Sequence, residues 1–534
     1  MKNLRTVAFL VVLVALPFGR FVAMPDSREE ALNTIRAEEI KSKIYFLSSD
    51  AMGGRDSGSH EGRIAANYIA ADFMRLGLKP VGDSGTYFQN FDLVKARLDK
   101  ENTWLKSTIR GVGKTYQIDH DFFYYYTEGD NSIDASGPLE FLGYGVNAPE
   151  YDYSDFAGSN LRGKVVMTLA REPQAGYANS KFKGKWDTIH SYFWLKAEQV
   201  RNAGASALLI VREKTPRRPP RVASAPTDSE AGPWTQDALA GTLWDIPIFI
   251  ITPEVANELL ATSGKTVESL QETIDRSFKP QTFEVEDVTV SVRKTLKDHR
   301  VISTRNVVGL LEGTDPKLKD EAVIVSAHYD HVGIQGGRIF HGADDNASGV
   351  AAVLQTAEAF VEGQVKPKRS VLFIAYEAEE RALLGSAYYI QHPIIPLQKT
   401  IANLNMDMIG RDEDSATWST TADKNRNNVN IVGTLYSPDL RRTIEKSNEA
   451  IRLNLDFKTD ENDPENWFAR SDHFWFATKS IPMVLFNTGE HPDYHTENDT
   501  WDRIDYPKIE KIIRLIFLTT AELCDAGQRP HFTP

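Results

Sequence analysis

The chain has 534 residues, with 61 lysines and arginines against 74 aspartates and glutamates, a formal charge of −13. That balance opposes binding to nucleic acid or anionic lipid through a broad electrostatic term, and 41% hydrophobic with 25% charged residues excludes a disordered or fibrous class. The length calls for two or three domains, and a single cysteine, Cys524, excludes an internal disulfide.

Residues 1–24 read as a secretory signal peptide. Lys2 and Arg5 precede an apolar run from Thr6 to Gly19, shorter than the roughly 20 residues of a membrane span. The expectation is an exported protein, periplasmic or extracellular and bacterial, with no stable membrane insertion after signal cleavage. Its oligomeric state is not encoded in any motif. Residues 25–135 are expected to form the N-terminal part of a catalytic domain, with apolar residues at helical spacing from Glu61 to Leu76. Over 136–290 short apolar runs such as GKVVMTLA and IPIFIIT alternate with Gly, Pro and Asp, the pattern of a separate β-rich insert. PRRPPRVASAP around Pro219 is a loop.

Residues 291–534 are expected to hold the main part of the catalytic domain. Here AVIVSA ends at His328, SVLFIAY ends before Glu379, IANLNMDM ends near Asp407, and IPMVLFNTG leads to His495. ASGVAAVLQTAEAFVEG after Asp344 and Tyr506 to Ala526 read as helices. Alternating strands and helices predict an α/β fold with a mostly parallel sheet flanked by helices. In such sheets ligands sit beyond the carboxyl ends of the strands, where all these motifs fall.

Five motifs carry the chemistry: SAHYDHVG, GADDNASGV, YEAEERALLGS, NMDMIGR and DYHTENDT. Together they offer two histidines and four carboxylates to a pair of metal ions, the constellation of a water-activating dinuclear hydrolase. Each has a plainer alternative. A lone histidine such as His328 is more often a satisfied polar group, and acids before a helix, Asp345 or Asn346 here, are often N-caps. The adjacent Glu379 and Glu380 would repel one another unless cations separate their roles, one binding metal and the other serving as general base. Asp407, among Leu404, Met406, Met408 and Ile409, would be costly to bury without a partner. Asp330, two residues after His328, is placed to orient the imidazole ring.

These motifs, in this order, resemble the M28 family of zinc peptidases, whose best-known members are co-catalytic aminopeptidases. The resemblance covers the segment from Glu38 and everything after Asn306, and the insert is similar to a protease-associated domain. It implies a zinc exopeptidase fold, two Zn²⁺ per chain and a peptide substrate. It further implies that Asp344 bridges the ions, with His328 and Asp407 completing one site and Glu380 and His495 the other. Glu379 would be the general base, and Asp330, Asp345, Asp472 and His473, with Ser471, would support the site. A cis peptide is implied between Asp344 and Asp345. His331, His341 and His491 are expected to be ordinary polar residues. Ser480 stands where the family often has glycine, without consequence for catalysis.

The expected activity is removal of an N-terminal residue. A carboxypeptidase or dipeptidase of the same fold is the alternative and needs a cation for a terminal carboxylate, such as Arg381, Arg411 or Arg470. More distant alternatives are a glutaminyl cyclase with one zinc and a binding protein that has lost its metals. Trp467, Phe468, Phe474, Trp475 and Tyr494 surround the last motifs; core packing is the expected role for most, an apolar pocket the alternative.

Overall fold

The computed structural model describes residues 27–124, 132–184, 187–213, 235–239, 246–413, 425–461, 463 and 466–534. The signal segment and the Pro219 loop lie outside the described residues. Among the described residues the chain builds two large sheets and two short two-stranded ones. The larger holds β1 (Phe88–Leu98), β2 (Thr235–Leu239), β3 (Leu296–Leu311), β4 (Ala322–His328), β5 (Ser370–Tyr376), β6 (Thr400–Met406), β7 (Asn428–Val432), β8 (Asn454–Asp456) and β9 (Met483–Asn487). Their order across the sheet is β2-β1-β3-β5-β4-β6-β9-β7-β8, with the short strand Lys79–Pro80 paired on β3. The four central strands β5, β4, β6 and β9 run parallel, and the flanking pairs β3–β5 and β9–β7 are antiparallel. The fold is therefore mixed α/β, as the alternating pattern predicted.

The central strands are buried along their whole length, which is why they read as largely apolar runs. Helices α1 (Ala37–Leu47), α2 (His60–Arg75), α3 (Phe193–Asn202), α4 (Gly349–Glu362) and α5 (Tyr506–Asp525) supply the packing. On one face Ile44, Phe73, Val353, Phe360, Ile512 and Phe517 close over Val323, Phe373 and Leu404 in one core. Ser59 caps α2 by accepting from the Gly62 backbone NH at 2.9 Å, and Asp505 caps α5 through the Lys508 NH at 3.1 Å.

The second sheet has eight strands, ordered Val112–Tyr116, Trp104–Ile109, Thr282–Lys294, Ile133–Leu142, Val165–Leu169, Ala207–Val211, Ile248–Ile251 and Phe122–Tyr124. Three of these strands lie between Trp104 and Tyr124, N-terminal to the expected start at 136, so the sheet reaches further back than the apolar runs indicate. Its own core contains Phe141, Met167, Leu209, Phe249 and Ile274. On its other side Val166, Leu195, Val200 and Ile210 join Ile324, Leu372, Tyr389 and Trp475 of the larger sheet and its helices in one continuous cluster. The two sheets are thus packed together through an apolar core. Among the described residues, no helix is long and apolar enough to cross a membrane.

Candidate metal centre

Strand β4 delivers His328 as its last residue, fully buried. Two loops at the same edge follow β5 and β6 and deliver Glu379, Glu380 and Asp407. The loop Ala343–Ser348 ahead of α4 delivers Asp345, and the loop after β9 delivers His495. The helix starts hard against β6, because a Cβ on Gly349 would lie 2.4 Å from Asn346 Oδ1 and 2.6 Å from the Met406 carbonyl. Asn346 Nδ2 donates to that carbonyl at 2.9 Å, and Asn487 Nδ2 donates to the Asp407 carbonyl at 2.6 Å, so the strand ends and loops are locked in register.

Two groups of ligand atoms result. His328, Asp345 and Asp407 form one, and His331, Asp345, Glu380 and His495 form the other, with the atoms of each group within 4.8 Å of one another. His328 Nε2 lies 3.3 Å from Asp407 Oδ1 and 3.4 Å from Asp345 Oδ1. The second oxygen of Asp345 lies 2.9 Å from His495 Nε2, and Glu380 Oε1 lies 3.2 Å from the same nitrogen and 2.8 Å from His331 Nδ1. Asp345 is therefore shared, one oxygen facing each group.

The expectation that Asp344 is the shared carboxylate does not fit this geometry. Its Oδ1 accepts from the Gly410 NH at 2.6 Å and its Oδ2 lies 3.3 Å from His491 Nε2. The cis peptide is Asp345–Asn346, one bond later than expected. His331, expected to be an ordinary polar residue, lies inside the second group; its position three residues after His328 was the available signal. His491 holds Asp344, and His341 lies 2.9 Å from Asp50, outside both groups. His328, Glu380, Asp407 and His495 are brought together as the motifs implied.

Supporting residues converge behind them. The Asp330 carbonyl, at 3.2 Å, is nearer His328 Nδ1 than its carboxylate, at 3.6 Å. That carboxylate instead accepts from the Glu379 NH at 3.1 Å, the Glu380 NH at 3.3 Å and the Ser57 hydroxyl at 2.8 Å, so it sets the loop that presents both glutamates. Asp499 accepts from the backbone NH of Asp344 and Asp345 at 3.0 Å. Asp472 accepts from the Ser386 hydroxyl, and burial pushes its carboxyl up to about 7. Burial pulls His473, which meets the edge of Phe468, down to about 3, so it stays neutral. Sequence reasoning missed Arg55. Fully buried, it donates to the carbonyls of Tyr329 at 2.9 Å and of His341 and Gly342 at 2.8 Å, and to that of Leu47.

Glu379 lies in the cleft with its Oε2 3.9 Å from His328 Nε2. Burial, together with Asp407 and Glu380, holds its carboxyl well above the usual range against the opposing pull of His328. Burial opposes ionisation of Glu380 too, but His495 and His331 hold it well below the usual range. The two neighbouring glutamates thus differ in proton affinity. The cleft beside them is lined by Asp345, Asp407, Met408, Trp467, Arg470, Ser471, Leu485, Asn487 and Tyr494.

The donor set tests whether metal fits. Imidazole nitrogen and carboxylate oxygen suit Zn²⁺, and Asp330, Asp345, Glu379, Glu380 and Asp407 crowd one largely buried space. Carboxylates so placed need cations near them. Divalent ions in the two groups would meet that need.

Residues 306–520 match the family model described as Peptidase family M28. The chain is 26% identical to aminopeptidase YwaD of Bacillus subtilis (strain 168), over 99% of this chain and 96% of that protein. A shorter match, 29% identical over 32% of this chain and 22% of the relative, is to a glutamate carboxypeptidase 2 homolog of Caenorhabditis briggsae. Among solved structures, an aminopeptidase from Aneurinibacillus sp. strain AM-1 is 20% identical, covering 95% of this chain and 98% of that one with a TM-score of 0.45. A zinc aminopeptidase from Bacillus subtilis is 20% identical, covering 93% and 98%, also with a TM-score of 0.45. The segment 306–520, which matches peptidase family M28, contains all six side chains of the two ligand groups.

Proposed function

We propose that the protein is an exported dinuclear zinc aminopeptidase, hydrolysing the peptide bond after a free N-terminal residue. The observation that carries this reading is Asp345, whose two oxygens face different ligand groups, beside a glutamate that is not itself part of either group. His328 and Asp407 would hold one ion, Glu380 and His495 the other with His331 beside them, and Asp345 would bridge. Bound zinc supplies Lewis acidity that lowers the pKa of a water and polarises the scissile carbonyl.

The chain's own residues do the rest. Glu379, its carboxyl in the cleft, takes a proton from the attacking water and passes it to the leaving amine. Asp330 holds the backbone of Glu379 and Glu380. Asp345, Glu379 and Asp407 line the cleft. The cations that a carboxypeptidase would need are already engaged. Arg381 lies 2.6 Å from Asp56, Arg411 2.8 Å from Asp493, and Arg470 2.7 Å from Glu490. The second sheet, whose strands fall between 104 and 294, is best read as a protease-associated insert that also lends β2 to the larger sheet, and 1–24 as a signal peptide.

Glu379→Gln tests the reading. It should keep two zinc ions per chain by metal analysis while losing at least about a thousandfold in kcat, a loss in the upper part of what a positioned acid–base group supplies. Retained turnover would refute the assignment. Hydrolysis of aminoacyl anilides but not of their N-acetylated forms separates an aminopeptidase from the carboxypeptidase alternative.

A further inference from the structure

The wall of the cleft that carries Trp467 and Arg470 is a tight turn, and one of its side-chain supports comes from the second sheet. Within the turn, Ala469 NH donates to the Asn466 carbonyl and Arg470 NH to the Trp467 carbonyl, both at 3.1 Å. Asp463 caps it by accepting from the NH groups of Trp467 at 2.7 Å and Phe468 at 2.9 Å. Asn466, which opens the turn, has left-handed torsions, φ 58° and ψ 39°, tolerated in asparagine but not the resting state of the chain. Its side chain Oδ1 accepts from the hydroxyl of Tyr192 at 2.8 Å, across 274 positions of sequence.

Tyr192 immediately precedes α3. Its ring meets Phe474 edge-on at 5.1 Å and Phe468 at 6.0 Å, so the hydroxyl is aimed by packing. The helix behind it is fixed to the same region: Glu198 pairs with Lys479 at 2.6 Å, and Trp194 meets Trp475 at 5.8 Å. The hydrogen bond therefore joins a rigid element of one sheet to the first residue of a turn whose second and fifth residues face the cleft.

We infer that Tyr192 is a positioning residue for substrate selection, setting through Asn466 how far Trp467 and Arg470 close on the terminal side chain of the substrate. The inference rests on the peptidase reading for what occupies the cleft. Tyr192 touches neither the ligand groups nor Glu379, so its loss should leave the chemical step intact. It should loosen the subsite for large side chains.

Tyr192→Phe keeps the ring and removes only the hydroxyl. With zinc-loaded full-length protein, KM for leucine and phenylalanine anilides should rise about five- to tenfold, in line with the net worth of one hydrogen bond. KM for alanine anilide, kcat and the zinc content should stay within about twofold. Asn466→Gly removes the acceptor while tolerating the left-handed backbone and should give the same pattern, and the double variant should be no worse than either single one. An active parent whose Tyr192→Phe variant keeps every KM, loses kcat equally on all substrates, or adds its effect fully to that of Asn466→Gly would overturn the inference alone. A zinc-loaded parent that hydrolyses no anilide would overturn the peptidase reading and this inference with it.

Discussion

Asp344 and Asp345 show what a single peptide unit decides. Both are buried, adjacent and acidic, and composition and spacing treat them alike. The backbone separates them: Asp345 and Asn346 leave helical torsions at φ −106° and −133°, which turns Asp345 toward the histidines and leaves Asp344 to the Gly410 NH and His491. Asp345→Asn should therefore reduce bound zinc below two per chain and abolish activity. Asp344→Asn should keep both ions and lose roughly ten- to a hundredfold in activity, as expected for an outer partner. Metal analysis of the two variants side by side checks the distinction. His328, Glu380, Asp407 and His495 were legible because each lies at or beyond the end of a strand buried along its whole length. His331 was harder to place, since its spacing from His328 is a signal that a lone polar histidine would also give.

Elements were legible in proportion to their burial. The central strands are buried along their whole length and mostly apolar, whereas Val112–Tyr116 is exposed over most of its length and Trp104–Ile109 alternates exposed and covered positions and finds a partner about 180 positions away. Pairing of that kind has no local signature. The second sheet also carries a buried carboxyl that no motif marks. Glu172 is 1% exposed and accepts from the Thr188 NH at 2.9 Å and from its hydroxyl. Burial raises its pKa from 4.5 to about 7. Between those values the folded chain binds more protons than the unfolded one, so stability falls as pH rises through that window, by an amount on the order of 3 kcal/mol. Glu172→Gln should flatten this decline, seen as a smaller shift of the urea midpoint between pH 5 and pH 7.5 than in the parent.

At the scale of the molecule, the two sheets share one apolar cluster, so the second cannot be read as a tethered accessory. A version with 104–294 replaced by a short linker would lose β2 from the larger sheet and expose Leu372, Tyr389, Phe474 and Trp475 to water. Area burial of such side chains is worth about 1.5–3 kcal/mol each, and the truncated protein should precipitate or bind a hydrophobic dye. The C-terminal segment adds to the union. Phe532 stacks on Tyr436 at 5.5 Å, Thr533 NH donates to the Tyr436 carbonyl at 2.7 Å, and Tyr151 of the second sheet's unit donates to the Pro534 carbonyl at 2.6 Å.

Arg55 gives the ligand loops a timetable. It reaches His341 and Gly342 across 286 and 287 positions, and Ser57 reaches Asp330 across 273. A ribosome finishes these anchors long before the residues they brace emerge, and His495 follows later still. The two ligand groups thus come together only after Arg55 has met loops made much later in the chain.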